Sequence, residues 1–112
     1  MSSKQFEIDI AFGVLIRVRY TATQGKVDHF TAQLELYDDT GETPVWLPVV
    51  RYDSAHGEAH IDYLTPQGVT YKKQWLALRW PYNSALDVAI NELRRDSAAH
   101  IIRFRTMQEE VR

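Results

Sequence analysis

Residues 51 to 62, reading Arg51-Tyr52-Asp53-Ser54-Ala55-His56-Gly57-Glu58-Ala59-His60-Ile61-Asp62, form the densest polar cluster in the sequence and hold two of its four histidines. An imidazole within hydrogen-bond reach of a carboxylate is the ingredient of general acid–base chemistry, because histidine titrates near neutral pH and the carboxylate holds one tautomer. With Ser54 to Glu58 as a hairpin tip, Asp53 and His60 fall on adjacent strands beside the turn, and His60 and Asp62, two apart, share a strand face. Arg51 is placed to bind a phosphate beside them. Arg51, Asp53, His56, His60 and Asp62 are therefore the candidate catalytic residues. A competing reading takes Asp53-Ser54 and His56-Gly57 as turn formers, with His60 and Asp62 on a solvated strand face. His56 and His60 have the spacing of a helical metal pair, but across a glycine and a strand that spacing gives no shared face. Neither a metal nor a cofactor is expected.

A second constellation is basic and aromatic. Arg17 and Arg19 share one face of a strand, and with Lys72, Lys73 and the rings of Tyr71, Trp75 and Trp80 they suggest a surface for single-stranded nucleic acid such as RNA. The same residues also suit the edges of an ordinary soluble sheet. His29 and His100 have no patterned partner. The sequence contains no phosphate-cradling glycine loop and no Gly-x-Ser-x-Gly elbow.

The elements that must position these residues show in the periodicity. Phe6, Ile8 and Ile10 alternate with polar residues over a first strand ending at Ala11, and Val14, Ile16, Val18 and Tyr20 alternate over a second that begins at Phe12, with Phe12-Gly13 as a bend or bulge. Gln24-Gly25 reads as a hairpin connection into a third strand, where Phe30, Ala32, Leu34 and Leu36 alternate with His29, Thr31, Gln33 and Glu35. After the turn cluster Asp38-Asp39-Thr40-Gly41, a fourth strand spans Val45 to Tyr52, with Pro48 demanding an edge or a bulge. Ala59 to Leu64 is a fifth strand. Thr65-Pro66-Gln67-Gly68 suits a type I turn, and Val69 to Leu78 is a sixth strand of undecided pairing. From Asn83 to Glu110 the period changes: Leu86, Ile90, Leu93, Ser97, Ile101 and Phe104 recur at gaps of three and four, one stripe of a long amphipathic helix with Asn83 or Ser84 as its cap.

The fold expected is α+β: an antiparallel meander of five or six strands over residues 1–80, with one C-terminal helix over 83–110 packed on one face, in a single domain of 112 residues. One helix covers only part of a sheet face, so a homo-oligomer or a protein partner is expected to use the rest. The chain has no cysteine, which excludes disulfides, thiolate nucleophiles and cysteine-held metals. Its formal net charge of −2 requires any nucleic-acid binding to rest on a local patch. No signal-like leader or membrane-length apolar run is apparent, so a cytoplasmic location and no membrane partner are expected.

The stretch Val49-Val50-Arg51-Tyr52-Asp53-Ser54-Ala55-His56-Gly57, continuing through His60, Asp62, Leu64, Pro66 and Gly68 to Tyr82-Asn83-Ser84-Ala85-Leu86, resembles a widespread family of short uncharacterised prokaryotic proteins. It is similar also to the TumE-type proteins of toxin–antitoxin pairs, whose Arg-Tyr-Asp-x-Ala-His core is matched at Arg51, Tyr52, Asp53, Ala55 and His56. The resemblance covers about the middle half of the chain and marks Arg51, Asp53, His56 and His60. It implies a small prokaryotic or phage protein of toxin–antitoxin or defence type, with a cognate antitoxin-like protein as partner; taken with the polar cluster, action through residues 51 to 62 on RNA or a nucleotide is expected. The alternative is a non-catalytic binding or oligomerisation module built on the open sheet face and the helix.

Overall fold

Antiparallel pairing between sequence neighbours sets the whole architecture. β1 (Ser2–Ala11), β2 (Val14–Thr23), β3 (Lys26–Asp38), β4 (Val45–Asp53), β5 (Glu58–Leu64) and β6 (Thr70–Arg79) lie side by side in chain order, each antiparallel to the next, and α1 (Asn83–Glu110) follows. The computed structural model describes residues 1–110; Val111 and Arg112, which belong to the single domain expected over 1–112, lie outside the described residues. The α+β meander with its C-terminal helix against the sheet is thus the fold of the chain, and the sixth strand pairs with β5.

The turns follow from residues that tolerate positive φ. Gln24 and Gly25 sit at φ 52° and 76°, the left-handed pair that a two-residue hairpin needs to match strand twist. Gly13, at φ 73°, belongs to a turn joining β1 to β2 and not to a bend inside β2, because its positive φ reverses the chain. Phe12 is left fully exposed at that tip.

Two bulges then decide which residues face the helix. Thr21 pairs with His29 but Ala22 with Val27, so Asp28 is an extra residue in β3. Likewise Leu34 pairs with Val50 but Glu35 with Pro48, so Val49 is extra in β4, and Pro48 is accommodated beside a bulge in an interior strand. Each extra residue flips the alternation, which is why Val27 joins Phe30, and Leu47 joins Val50, in the same core.

The helix stripe meets that core. Leu86, Leu93 and Phe104 are buried, with Ile90 and Ile101 packed at the margin, in one cluster with Ile16, Val18, Leu34, Val50, Tyr52 and Ile61. Ala85 and Ala89, also buried, belong to the same face. The expected cap differs: Asn83 Oδ1 accepts the Val27 N–H at 3.0 Å and its Nδ2 donates to the Gly25 carbonyl at 2.9 Å, so the side chain ties the start of α1 to the β2–β3 turn. The Tyr82 N–H adds a bond to the Val27 carbonyl at 2.9 Å. Midway along α1, Tyr52 donates its hydroxyl to Glu92 at 2.6 Å, and burial together with that bond raises the phenol well above its ordinary value.

Two outcomes are expected. Leu93→Ala, at a fully buried site, lowers stability by about 2–5 kcal/mol in urea denaturation, whereas Ile102→Ala on the exposed side changes it by no more than about 0.5 kcal/mol. His100 is held below its ordinary value, first by burial and then by the adjacent Arg103. The unfolded chain therefore binds more protons below about pH 6.5, and the stability His100 contributes is present above that pH and lost as pH falls. Thermal melts of His100→Gln should lose less stability between about pH 6.5 and 5 than those of the parent.

Candidate functional site

The face of the sheet turned away from the core cluster is polar, and it holds most of the residues singled out for chemistry. Direct pairing across strands places neighbours on one face: Glu7 opposite Arg17, Arg17 opposite Gln33, Gln33 opposite Arg51, Arg51 opposite Asp62, and Asp62 opposite Lys73. On the same face, Arg19 pairs with Thr31, Thr31 with Asp53, Asp53 with His60, and His60 with Trp75.

At one end of this face an ion-pair chain is organised around Glu35, which is only 4% exposed. Arg17 Nε and Nη2 approach its carboxylate at 3.0–3.2 Å, Gln33 Nε2 donates to it at 2.6 Å, and Arg17 Nη1 reaches Glu7 at 2.6 Å. These bonds and charges raise the Arg17 guanidinium above its ordinary value, the Glu35 hydrogen bond being the largest cause. Gln33 also accepts from Arg51 Nε at 2.7 Å, so one amide fixes two charged partners. Arg17, Arg19, Thr31, Gln33, Arg51 and Asp53 line a cleft of about 410 Å³. Among the described residues Arg17 is paired with carboxylates, while Arg19 and Arg51 have no carboxylate partner.

The other end is built on His60, which is 1% exposed. Its Nε2 lies 3.1 Å from Asp53 Oδ1 and 3.3 Å from Asp62 Oδ2, and its Nδ1 is 3.3 Å from the Glu58 carbonyl. Nδ1 faces a carbonyl oxygen, which only accepts, and Nε2 is the atom directed at the two carboxylates. Asp53 Oδ1 also accepts the Ala55 N–H at 2.9 Å, an Asx-type bond that closes the β4–β5 loop. Asp62 Oδ1 faces Lys73 Nζ at 3.2 Å, an ion pair that lacks hydrogen-bond alignment. The rings of His56 and Trp75 flank His60, with centroids 5.7 and 5.1 Å away.

Asp53, His60 and Asp62 are thus brought together as their spacing suggested, but not as a solvated strand face: Asp62 is 6% exposed and His60 is less accessible still. The bulge in β5–β6 pairing, where Glu58 matches Arg79 and His60 matches Trp75, sets the indole against the imidazole. His56 and His60 share a face after all, because the positive φ of Gly57, 82°, turns the loop back over the strand. Arg51 stands beside the cluster in the cleft. The basic constellation is divided. Arg17 and Arg19 are on β2, whereas Lys72 and Lys73 are on β6 with three strands between, and Lys72 lies on the helix side over the Tyr63 ring at 5.1 Å. Arg17, Arg19, Lys72 and Lys73 therefore form no common surface, since adjacent strand residues point to opposite faces.

Glu35, Gln33, Thr31 and Trp75 carry parts of the site that the spacing of residues 51 to 62 did not indicate. For Thr31, Gln33 and Glu35 the signal was present as the polar half of the β3 alternation. Its match to Arg17 and Arg19 depends on the extra Asp28, without which Arg17 would oppose Ala32.

The chain belongs to the DUF7718 family, described as a domain of unknown function, whose model matches residues 1–110. No curated protein and no solved structure matches it. No helix among the described residues is long and apolar enough to cross a membrane.

The two carboxylates on Arg17 should differ sharply on removal. Glu35→Ala leaves the Arg17 guanidinium with Glu7 alone and Gln33 Nε2 without its acceptor, and is expected to cost about 2–3 kcal/mol in urea denaturation, whereas Glu7→Ala, at a side chain 51% exposed, should cost no more than about 1 kcal/mol.

Proposed function

We propose that the polar face binds the phosphate groups of RNA or a nucleotide and acts on them through residues 51 to 62. The observation that carries this reading is the double membership of Asp53: it lines the arginine cleft and it is also a member of the buried Asp53–His60–Asp62 cluster. Arg19 and Arg51 supply cationic forks without a competing carboxylate, the geometry best suited to a phosphate. Asp53 is the carboxylate nearest to a ligand in the cleft, and it serves as the proton acceptor. His60 and Asp62, being buried, are positioning residues that hold it, while Glu35 and Gln33 hold Arg17 and Arg51.

The biological setting rests on the resemblance of Arg51-Tyr52-Asp53-x-Ala55-His56 to TumE-type proteins. It is that of a cytoplasmic prokaryotic or phage protein of toxin–antitoxin or defence type, whose cognate protein partner neutralises it by covering the cleft. Excess basic charge in one cleft suits that mode of control, because an acidic partner segment would compete with phosphate there.

Induced expression in bacterial cells should arrest growth, and Asp53→Asn, which keeps an oxygen for the Ala55 N–H, should spare them. In binding assays with a short single-stranded RNA, Arg19→Ala and Arg51→Ala should each weaken affinity about tenfold and reduce its salt dependence. Unimpaired growth together with no RNA or nucleotide binding by the parent protein would overturn the reading.

A further inference from the structure

The geometry points to a divalent transition-metal ion of the Mn2+ to Zn2+ series bound by Asp53 Oδ1, His60 Nε2 and Asp62 Oδ2. This deepens the proposed function, since it rests on the same cleft and gives phosphate a second electrophilic partner beside Arg51.

Three features carry it. The first is spacing. Ligand atoms about 2.1 Å from one ion, at tetrahedral or octahedral angles, lie about 3.0–3.4 Å from one another. His60 Nε2 stands 3.1 Å from Asp53 Oδ1 and 3.3 Å from Asp62 Oδ2, and the three residues each offer a ligand atom within 4.8 Å of the others'. The two histidine–carboxylate separations are already those of neighbouring ligands.

The second feature is the orientation of the ring. With Nδ1 turned to the Glu58 carbonyl, Nε2 is the nitrogen that faces the carboxylates, the arrangement typical of metal-bound histidines. Without a cation or a second ring proton, the Nε2 lone pair would face two carboxylates at the centre of a nearly inaccessible cluster.

The third feature is the outer shell. Each proposed ligand has a partner that orients it: Glu58 O for His60, the Ala55 N–H for Asp53, and Lys73 Nζ for Asp62. Lys73 faces Oδ1, leaving Oδ2 for the ion. Two carboxylates and one ammonium leave the cluster one negative charge, and a divalent ion turns this to one positive charge, which a phosphate oxygen as a further ligand would offset. One imidazole with two carboxylates favours Mn2+, Co2+ or Zn2+ over Ca2+ and Mg2+, which take oxygen ligands. Three protein ligands leave positions for water or a phosphate oxygen.

The test is titration of metal-free full-length protein with MnCl2 and ZnCl2. Calorimetry gives the stoichiometry, and the histidine ring protons are followed by NMR during the Mn2+ addition. One equivalent should bind, and Mn2+ should broaden His60 first and His56 next, ahead of His29 and His100. Asp53→Asn and Asp62→Asn should each weaken binding at least tenfold, with Glu110→Gln as a control that leaves it unchanged. His60→Gln should abolish it, and circular dichroism confirms that each variant is folded. The Asp53→Asn variant, which keeps its loop bond, remains informative should the two buried positions fail to fold. Absence of saturable binding below about 1 mM, or binding indifferent to Asp53→Asn, overturns the inference. Metal binding without RNA or nucleotide binding would sink the functional reading while leaving the metal site standing. RNA binding through Arg19 and Arg51 with no metal bound would do the reverse.

Discussion

A residue in a β-strand has two directions in which to point, and in this sheet two single-residue insertions choose between them. The extra Asp28 in β3 and the extra Val49 in β4 shift the alternation so that Phe30, Ala32, Leu34, Val50 and Tyr52 align with Ile16 and Val18 under the helix. The same shift aligns Thr31, Gln33, Glu35, Arg51 and Asp53 with Arg17 and Arg19 on the other side. Core and candidate site are therefore two faces of one register, and neither can move without the other.

The bulge in β3 is itself held from both sides, by a residue of β2 and by one beyond the sheet. Asp28 accepts from Thr23 Oγ1 at 2.7 Å and from Trp80 Nε1 at 2.9 Å, and both bonds hold its carboxylate below the usual range. Trp80 stands just before α1, and Asn83 at the helix start binds back to Gly25 and Val27. The chain leaving the sheet thus fastens the hairpin whose register the sheet requires. Ser54 adds a tie of its own: its buried hydroxyl accepts the Phe30 N–H at 3.1 Å, linking the loop after Asp53 to β3.

On the polar face, burial and charge are reconciled by pairing. Glu35 is satisfied by Arg17 and Gln33, and the cost of removing that carboxylate from water is offset by several charge-assisted bonds of good geometry. The Asp53–His60–Asp62 cluster is less completely compensated. Two carboxylates converge on one imidazole, and Asp62 Oδ1 meets Lys73 without hydrogen-bond alignment. A stability-driven core has little use for such an arrangement, and this incompleteness distinguishes the cluster from the Glu35 chain beside it.

The amino-acid sequence by itself determined the element types, their order and most of the turns, because these are local: period two against period three to four, glycine where φ is positive, and a helix stripe running from Leu86 through Leu93 to Phe104. It also brought Asp53, His60 and Asp62 together, since one short hairpin suffices to do so. What only the tertiary structure decided is everything that crosses more than one turn. The parity of β3 and β4 depends on bulges, the first of them held by Trp80, which no strand pattern encodes locally. Burial of His60 depends on Trp75 arriving from β6, and the partnership of Arg17 with Glu35 depends on register. The division of Lys72 from Lys73 follows from the same cause: neighbours in sequence on a strand belong to opposite surfaces, and only the packed helix says which surface is which.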